Sequence, residues 1–578
     1  MQITIDGKKI SFTKGETILE IARRNGIEIP TLCFHPMLEP EGRCRVCLVE
    51  ANARIVTSCD TRAAEGMIIN TKTKRLLRLR REAVNLIASS VPPQTLKEDN
   101  ELTRAMKKVG LRKPTYLHHV VQEKDHSSKA VWRRTDSCIL CGRCTQLCSE
   151  KQSVDAIAFA NRSGETVIVG VEEEPLASTK CVSCGQCVLA CPTNALTEAG
   201  EIRQVERILE NKEKIKVVQV APSVRVSLGE CFGLEPGAIL TGQVVAALKK
   251  TGFDYVFDTN FSADMTIMEE ATELVERIKN KKTPMFTSCC PAWIDFCCEF
   301  YPKLVSKLST TKSPQQVMGA MIKTYFAKKR GIKPKSIVSV SIMPCTAKKR
   351  EASLSGINAS RGRDIDLVLT TRELAELLKK KRINPTALKP ADFDSPLGES
   401  TGAGTIFGST GGVMEAALRT AYFLTEGHNL RNSDLMMARG SKGIREFSLK
   451  TKKLNLKGAV AHGLGNARKL IERMIAGEHF DFVEVMACPG GCVGGGGQPK
   501  PTDWQKINAR AKAIYRIDRG KKKRASHENE EVKKAYFEFL GEPCSKKAER
   551  ILHRHYPVNG KKPSEKRSLQ DFKAPKLH

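Results

Sequence analysis

The sequence has no apolar run near the ~18 residues that a membrane-spanning helix needs. Its opening stretch, MQITIDGKKISF, alternates like a β-strand and contains no apolar core of a signal peptide. Membrane insertion and secretion are therefore not predicted, and we expect a cytoplasmic protein.

Aromatic residues are also scarce, at 5% of the 578 positions with three tryptophans. Neither of its two most basic stretches has a zinc-finger spacing or an RRM signature, so the net charge of +31 does not indicate nucleic-acid binding. The basic excess is concentrated in residues 71–134, with 16 Lys and Arg against 6 Asp and Glu, and in residues 501–578, with 21 against 10. Such stretches are either solvated surface or docking sites for an acidic protein, because charge of one sign speeds encounter.

Cysteine, by contrast, is abundant, with 21 residues. In a long chain without a signal peptide, cysteines are more often metal ligands than disulfide partners. Two runs have the spacing C-x2-C-x2-C-x3-C, and in two-cluster ferredoxins the fourth cysteine of each run binds the other cluster. The pattern therefore predicts two 4Fe–4S clusters, with zinc as the alternative metal. One set is Cys138, Cys141, Cys144 and Cys191, and the other is Cys148, Cys181, Cys184 and Cys187.

Another four cysteines lie nearer the N-terminus, with spacings of x10, x2 and x11: Cys33, Cys44, Cys47 and Cys59. The sequence around them predicts a small β-rich domain with a turn at Asp6-Gly7 and a helix over TILEIARRNGI. Four cysteines in such a domain indicate a 2Fe–2S cluster, again with zinc as the alternative. This domain resembles the plant-type ferredoxin fold.

From about residue 209, apolar runs such as KIKVVQVAP, KSIVSVSIMP and IDLVLTT alternate with helix-like stretches such as GQVVAALKKTG and TRELAELLKKK. This alternation predicts α/β layers with buried strands. We predict a multidomain α+β and α/β protein in five parts: a β-grasp 2Fe–2S domain (1–75), a basic helical linker (76–130), a two-cluster 4Fe–4S domain (131–205), an α/β domain (209–500) and a basic, mostly helical C-terminal extension (501–578).

Three cysteine motifs in the α/β region lie far apart: TSCCPAW at 287–293, MPCTAKK at 343–349 and ACPGGCVGGGGQP at 487–499. Their spacing predicts no local site, and buried free cysteines are the alternative. In this order, behind ferredoxin-type cysteine patterns, the motifs resemble those of iron–iron (FeFe) hydrogenases. The resemblance extends to FSADMTIMEE, SPQQ, TGAGTIFGSTGGVMEAALR and SHEN, and so covers nearly the whole chain.

The resemblance implies an active site, the H-cluster, in which a 4Fe–4S cubane is joined through a cysteine sulfur to a two-iron unit. That unit carries CO, cyanide and a bridging amine dithiolate. The matching motifs place the cubane on Cys290, Cys345, Cys488 and Cys492, with Cys492 as the bridging ligand.

The same match implies a pocket around the two-iron unit. Lys348 is a cationic donor suited to cyanide, although it could equally be a surface lysine, since Lys349 and Arg350 follow it. The remaining pocket residues implied by the family match are Pro222, Ser223, Gln315, Met343, Phe407 and Met486.

A proton relay is also implied by the resemblance, in the order Cys289, Glu270, Ser309, Glu273 and Arg277. Neighbouring side chains of an extended chain point apart, so Cys289 can face away from the adjacent ligand. Glu270, Glu273 and Arg277 are spaced i, i+3 and i+7 and share one face of a predicted helix. From spacing alone, these three residues could instead form a surface salt-bridge ladder.

One segment departs from the family pattern. Larger members carry a further 4Fe–4S cluster on a His-x3-Cys-x2-Cys-x5-Cys segment, whereas the corresponding stretch here, LIASSVPPQTLKEDNEL, has neither cysteine nor histidine. We therefore predict that this cluster is absent. Four cysteines remain without a predicted role: Cys231, Cys297, Cys298 and Cys544.

The sequence thus predicts an FeFe hydrogenase that interconverts protons, electrons and H2. Its expected partners are a ferredoxin or similar acidic electron carrier and hydrogenase maturation proteins, with neither nucleic acid nor membrane; in a eukaryote, the matrix of an anaerobic organelle replaces the cytoplasm. The rival interpretations are a catalytic subunit of an NAD(P)-linked hydrogenase complex, a non-catalytic iron–sulfur carrier or assembly factor, an electron-transfer subunit of a respiratory NADH dehydrogenase, and a hydrogen sensor.

Overall fold

The computed structural model describes residues 1–116, 124–451, 453 and 455–556. Residues 117–123 of the predicted linker and the end of the predicted C-terminal extension, from residue 557, lie outside the described residues. In the part of the chain that is described, no helix is long and apolar enough to cross a membrane.

The N-terminal region is a mixed five-stranded sheet with one helix packed on it. Its elements are β1 (Gln2–Ile5), β2 (Lys8–Ser11), α1 (Ile18–Arg24), β3 (Leu48–Ala51), β4 (Arg54–Thr57) and β5 (Ile68–Asn70). The strand order is β2-β1-β5-β3-β4, in which β1 pairs antiparallel with β2 and parallel with β5. Helix α1 begins at a capping box, in which the Thr17 hydroxyl accepts from the Glu20 N–H while the Glu20 carboxylate accepts from the Thr17 N–H.

Two helices, α2 (Lys74–Ser89) and α3 (Glu101–Lys108), follow this sheet. Pro92 and Pro93 lie between them, where proline was expected to interrupt the helical pattern. One face of α2 is buried through Leu76, Val84 and Ala88, and the other exposes most of its basic residues.

The next region contains two small sheets and two short helices. Its elements are β6 (Lys124–Asp125), β7 (Val131–Arg134), α4 (Arg143–Gln146), β8 (Ile157–Ala160), β9 (Val167–Gly170), α5 (Gln186–Ala190) and β10 (Leu196–Glu198). The first sheet has the order β10-β7-β6, and β8 pairs with β9. Strand β6 falls within the predicted linker, so this sheet begins before the boundary expected at residue 131. The two helices repeat one another, because each begins after a left-handed glycine, Gly142 or Gly185.

The largest region holds two four-stranded sheets between helices. Its strands are β11 (Ile215–Val220), β12 (Tyr255–Asp258), β13 (Met285–Phe286), β14 (Ile337–Met343), β15 (Leu367–Thr370), β16 (Ile444–Lys450), β17 (Asn455–His462) and β18 (Phe482–Met486). One sheet is parallel, with the order β12-β11-β14-β15, and the other has the order β13-β18-β17-β16 with only β16 antiparallel to its neighbour. The three runs predicted to be buried strands are β11, β14 and β15.

The helices of this region cover both sheets and bury long apolar faces against them. They are α6 (Ile202–Glu210), α7 (Thr241–Thr251), α8 (Thr259–Lys279), α9 (Pro291–Phe300), α10 (Pro314–Met321), α11 (Ala327–Arg330), α12 (Ala347–Ser353), α13 (Thr371–Lys380), α14 (Gly402–Ile406), α15 (Gly412–Glu426) and α16 (Leu464–Ile475).

The C-terminal part adds α17 (Trp504–Gly520), α18 (Glu530–Ala535) and α19 (Lys546–Leu552). Helices α18 and α19 pack on the largest region through apolar side chains. Helix α17 also contributes buried charges. Arg510 pairs with Glu230 at 2.6 Å, and Asp518 pairs with Arg419 at 3.0 Å. The C-terminal helices are therefore integral to the fold, rather than an appended basic tail.

Candidate metal centres and active site

The four N-terminal cysteines lie together at one end of the first sheet. Their side chains interact in the pairs Cys33–Cys44, Cys33–Cys59 and Cys47–Cys59. Hydrogen bonds from the Cys44 and Cys59 thiols hold the pKa of Cys33 far below its usual value. Loop residues between α1 and β3 supply three of the sulfurs, and the fourth follows β4, so residues far apart in sequence form one tetrad.

The two repeated cysteine runs line two separate cavities, and each cavity takes three cysteines from one run and one from the other. The first cavity is lined by Cys138, Cys141, Cys144 and Cys191. The second is lined by Cys148, Cys181, Cys184 and Cys187. These are the two sets that the crossed ferredoxin pattern predicts; their role as ligands remains a prediction.

A third cavity lies in the largest region between the carboxyl ends of strands from both sheets. The motifs that follow β13, β14 and β18 converge there, because parallel strands deliver the residues after their carboxyl ends to one edge of a sheet. The cysteines that line this cavity are Cys289, Cys290, Cys345, Cys488 and Cys492. All six further residues predicted for the pocket also line it: Pro222, Ser223, Gln315, Met343, Phe407 and Met486.

Glycines let the backbone pass close to this cavity. A Cβ on Gly491, whose φ is +91°, would lie 2.5 Å from the backbone nitrogen of Thr410. A Cβ on Gly495 would lie 2.2 Å from the carbonyl oxygen of Pro344. Side chains at either position would displace the loop that carries Cys492 or the loop that carries Cys345.

Lys348 is buried at the cavity wall, so the surface-lysine interpretation is wrong. Its Nζ donates to the carbonyl oxygen of Cys289 at 3.1 Å and to the Glu351 carboxylate at 2.9 Å. Burial alone would lower the pKa of Lys348, but the carboxylate outweighs burial and raises it. Lys349 and Arg350 are buried as well, and they pair with Glu373 and Asp295.

The residues of the predicted proton relay form a chain from the cavity toward the surface. Cys289 lines the cavity, and Glu270 lies close enough to raise the pKa of its thiol further, after burial. Ser309 donates to Glu273 at 2.7 Å, and Arg277 donates to the same carboxylate at 2.6 Å. The guanidinium of Arg277 is 16% exposed, whereas Glu270 is fully buried.

Glu270 is a strongly perturbed carboxyl. Neither of its oxygens has a hydrogen-bond partner in the described part of the molecule. Burial, followed by the charges of Glu273 and Glu484, raises its pKa to about 8, although the Ser288 N–H and the Ser309 hydroxyl face it and oppose the shift. The carboxyl can therefore gain or lose a proton near neutral pH.

Four known protein domain families match parts of this chain. Residues 214–496 match the iron only hydrogenase large subunit, C-terminal domain, and residues 505–558 match the iron hydrogenase small subunit. Residues 1–74 match the 2Fe-2S iron-sulfur cluster binding domain, and residues 137–195 match the 4Fe-4S dicluster domain.

Two curated relatives match along nearly their whole length. The chain is 43% identical to the NADP-reducing hydrogenase subunit HndD of Solidesulfovibrio fructosivorans, over 96% of this chain and 98% of that protein. It is 40% identical to iron hydrogenase 1 of Clostridium pasteurianum, over 96% and 99%. The chain belongs to the FeFe hydrogenase family. A solved structure of the apo [FeFe]-hydrogenase HydA1 from Chlamydomonas reinhardtii is 42% identical and superposes with a TM-score of 0.56, covering 63% of this chain and all of that one.

The predicted family, the multidomain fold and the presence of both kinds of iron–sulfur domain are thus confirmed for this FeFe hydrogenase. The prediction of a basic, mostly helical C-terminal extension did not include its match to the iron hydrogenase small subunit, although the motif SHEN within it was part of the resemblance.

Sequence reasoning also missed two buried carboxylates beside the cavity. Glu351 holds Lys348 and accepts from Gln315 at 2.9 Å, and its i, i+3 spacing from the lysine could have indicated the pair. Glu484 accepts the N–H groups of Gly411 and Met414 at 2.6 and 2.7 Å. It lies within β18, where no local pattern distinguishes it.

The donor chemistry of the four cysteine tetrads fits iron–sulfur clusters. Burial raises the pKa of Cys138 to about 11 and that of Cys345 to about 12, so these thiols are neutral unless a positive centre binds them. Iron deprotonates the thiols that coordinate it. At the third cavity, the buried Gln315 Oε1 also has no partner among the described residues and is free to contact a bound group.

Proposed function

We propose that this protein catalyses the reversible reaction 2H⁺ + 2e⁻ ⇌ H2 at an H-cluster in the third cavity. The observation that carries the proposal is the meeting, in one buried cavity, of four candidate ligands and a chain of proton-carrying side chains. The proposed cubane ligands are Cys290, Cys345, Cys488 and Cys492, with Cys492 bridging to the two-iron unit. When bound, that cofactor supplies the redox and proton-binding chemistry of the reaction.

The residues around the cavity hold the cofactor and exclude water. Lys348, fixed by Glu351, presents a buried cation to the anionic cyanide ligands. Phe407, Met343 and Met486 form apolar walls, and Pro222, Ser223 and Gln315 complete the lining.

Protons move between this cavity and solvent along the relay. We propose that Cys289 passes a proton to and from the two-iron unit, that Glu270 and Ser309 carry it inward and outward, and that Glu273 and Arg277 exchange it near the surface. The support is the pair of hydrogen bonds that join Ser309, Glu273 and Arg277, together with the Ser309 hydroxyl that faces the fully buried Glu270.

Electrons reach the active-site cavity from the 4Fe–4S cluster proposed for the second four-cysteine cavity. Thr346, next to the proposed ligand Cys345, donates to the carbonyl oxygen of Ser183 at 2.7 Å, and Gln186 donates to that of Gly494 at 3.0 Å. The 4Fe–4S cluster on Cys148, Cys181, Cys184 and Cys187 is therefore the proposed immediate donor. The cluster on Cys138, Cys141, Cys144 and Cys191 lies next in line, and the 2Fe–2S cluster follows.

The proposed cofactor content is one 2Fe–2S cluster, two accessory 4Fe–4S clusters and the H-cluster. The stretch that lacks the histidine–cysteine motif is instead tied to the two-cluster domain by polar contacts. Glu98 pairs with Arg134 at 2.9 Å, and Thr95 hydrogen-bonds Ser137 at 2.8 Å. These contacts support the proposal that no further cluster occupies the stretch.

For the electron carrier, we propose an acidic ferredoxin-type protein that docks near the 2Fe–2S domain. The second candidate, a catalytic subunit of an NADP-linked complex, is supported by the 43% identity to a protein named as an NADP-reducing hydrogenase subunit. Purification of the native protein distinguishes them: stable co-purifying subunits that reduce NADP with H2 favour the complex, and a lone chain that evolves H2 with reduced ferredoxin favours the first proposal.

The catalytic proposal is tested by H2 evolution from reduced methyl viologen, with protein made in the presence and absence of hydrogenase maturation proteins. Activity only after maturation supports a catalytic H-cluster. Reconstituted accessory clusters without any H2 turnover after maturation would instead support the rival iron–sulfur carrier.

A further inference from the structure

The contact between the 2Fe–2S domain and the two-cluster domain is centred on one buried side chain, Arg143. It lies between Cys141 and Cys144 at the start of α4, after the left-handed Gly142. Its side chain is only 3% exposed, even though it stands at the meeting of three separate segments.

The Arg143 guanidinium donates to all three segments. One nitrogen donates to the carbonyl oxygen of Phe34 at 2.6 Å, and the other donates to that of Ala190 at 3.1 Å. Both nitrogens also donate to the Glu101 carboxylate at 2.9 Å, in a two-pronged pair. Phe34 directly follows Cys33, and Ala190 directly precedes Cys191. The guanidinium thus bridges the residues beside cysteines of two different proposed clusters.

Glu101 is fixed in turn by the same neighbourhood. It is the first residue of α3, and its backbone N–H donates to the carbonyl oxygen of Pro192 at 2.8 Å. Asn100 caps this helix and donates to the carbonyl oxygen of Thr95 at 2.8 Å. The carboxylate that holds Arg143 therefore belongs to the polar segment that stands where larger relatives carry an additional cluster.

We infer that Arg143 is a positioning residue for electron transfer between two proposed clusters. One is the 2Fe–2S cluster, and the other, called the outer 4Fe–4S cluster below, is the one on Cys138, Cys141, Cys144 and Cys191. This inference rests on the proposed function, since it takes both clusters as bound. The planar guanidinium sets the separation of the two clusters by holding three acceptors at once, which a lysine ammonium on a flexible stem does not reproduce. Its buried charge also stabilises the outer cluster after that cluster gains one electron, because opposite charges attract strongly where water is excluded.

Other contacts keep the two domains together when Arg143 is changed. Leu38 packs against Leu147 and Ala190, and the Arg43 guanidinium lies 4.7 Å from the centre of the Phe159 ring. Variants of Arg143 therefore test the spacing and the potential of the clusters, rather than domain attachment.

The test uses the fully matured protein with Arg143→Lys and Arg143→Gln, measured by EPR during redox titration. In Arg143→Gln, the midpoint potential of the outer 4Fe–4S cluster should become more negative, and its magnetic interaction with the reduced 2Fe–2S cluster should weaken. In Arg143→Lys, the potential should stay near the wild-type value, while the interaction weakens. After mixing with H2, the 4Fe–4S clusters should be reduced before the 2Fe–2S cluster. The delay between these two reductions should be longer in both variants than in the wild type.

Lys108→Gln is the matched control, because Lys108 joins α3 to Glu28 of the 2Fe–2S domain at 3.1 Å but is exposed. It removes the same charge and should change neither potential nor interaction. If Arg143→Gln does not fold, Glu101→Gln replaces it and should shift the outer potential in the opposite, positive direction while weakening the interaction. Wild-type potentials and interaction in both Arg143 variants, or equal changes in the Lys108 control, overturn the inference. Absence of H2 turnover in the wild type would contradict the proposed function alone, because cluster potentials and their interaction are measured without turnover.

Discussion

At the scale of single residues, the neighbours Cys289 and Cys290 have different proposed roles: Cys289 relays protons, and Cys290 is a cluster ligand. Both line the cavity, but only Cys289 lies against Glu270. We predict that Cys289→Ser keeps its iron and loses at least ~10²-fold in H2 evolution, because a hydroxyl is a far weaker acid than a thiol and relays protons poorly.

Iron analysis together with viologen-driven H2 evolution checks this prediction. Cys290→Ser should lower the iron content, since it removes a proposed ligand. Cys297→Ser, at a buried cysteine outside the cavity lining, should retain both iron and activity. A Cys289→Ser protein that keeps most of its H2 evolution would contradict the relay assignment.

Glu270 gives the relay a pH dependence. Its pKa of about 8 leaves the carboxyl protonated below that pH and charged above it. H2 evolution, which needs a proton donor, should therefore decline as pH rises through about 8, and H2 oxidation, which needs an acceptor, should rise. Glu270→Gln should abolish both inflections and lower the rate by ~10²-fold or more, whereas Glu276→Gln, at an exposed position of α8, should not. An unchanged pH profile in Glu270→Gln would refute the role of this carboxyl.

The same raised pKa makes folding stability depend on pH. Protonated Glu270 favours the folded state, and this contribution is fully present below the unfolded pKa of about 4.5 and is lost as pH rises through about 8. The melting temperature of Glu270→Gln relative to the wild type should therefore increase from pH 4.5 to pH 8 and then level off. A constant difference across this window would show that the carboxyl is not the buried acid described here.

At the scale of elements, the sequence predicted those features that local patterns control. Buried strands β11, β14 and β15 followed from β-branched apolar runs, and the shared face of Glu270, Glu273 and Arg277 followed from helical spacing. Burial was not predictable for the run Lys348–Arg350, because Lys349 and Arg350 meet Glu373 and Asp295, distant in sequence, only in the folded chain. The cavity itself depends on two sheets whose strand order no local pattern encodes.

In helix α2, too, the sequence alone does not separate buried from exposed basic residues. Arg80 belongs to the same basic stretch as its neighbours, but it is buried and donates to the carbonyl oxygens of Leu48 and Thr71. The exposed basic residues on and beside α2 are instead Lys72, Lys74, Arg75, Arg78 and Arg81. These five are suitable for testing a docking surface, whereas reversing Arg80 would damage the fold.

We predict that charge reversal at these five residues raises the Michaelis constant for an acidic ferredoxin and leaves the viologen-driven rate unchanged. Higher salt should act in the same direction, because the Debye length falls from ~10 Å at 0.1 M to ~3 Å at 1 M. Steady-state H2 evolution with both donors measures the effect. The control reverses four exposed basic residues of the C-terminal helices: Lys533, Lys534, Lys546 and Arg550. The basic residues would be ordinary solvated surface if charge reversal had the same effect at α2 and at the C-terminal helices. The same conclusion would follow if ferredoxin-driven and viologen-driven rates responded equally.

At the scale of the whole molecule, the four cysteine tetrads provide proposed centres in the N-terminal domain, the two-cluster domain and the buried cavity. The proposed content is about 16 iron atoms per chain, from one 2Fe–2S cluster, two 4Fe–4S clusters and a six-iron H-cluster. Iron analysis of the matured protein, with EPR of the reduced clusters, checks this total. A value near 20, or a third accessory 4Fe–4S signal, would show that ligands outside the four tetrads hold another cluster.

The central claim is that the cavity formed by the motifs after β13, β14 and β18 holds an H-cluster on four cysteines. Infrared spectra of the anaerobically matured protein test it most directly, because CO and cyanide bound to iron absorb where protein groups do not. We expect CO and cyanide bands in the matured wild type and their loss in Cys492→Ala, while the EPR signals of the accessory clusters remain. A matured protein with intact accessory clusters and no such bands, or bands that persist unchanged in Cys492→Ala, would contradict it.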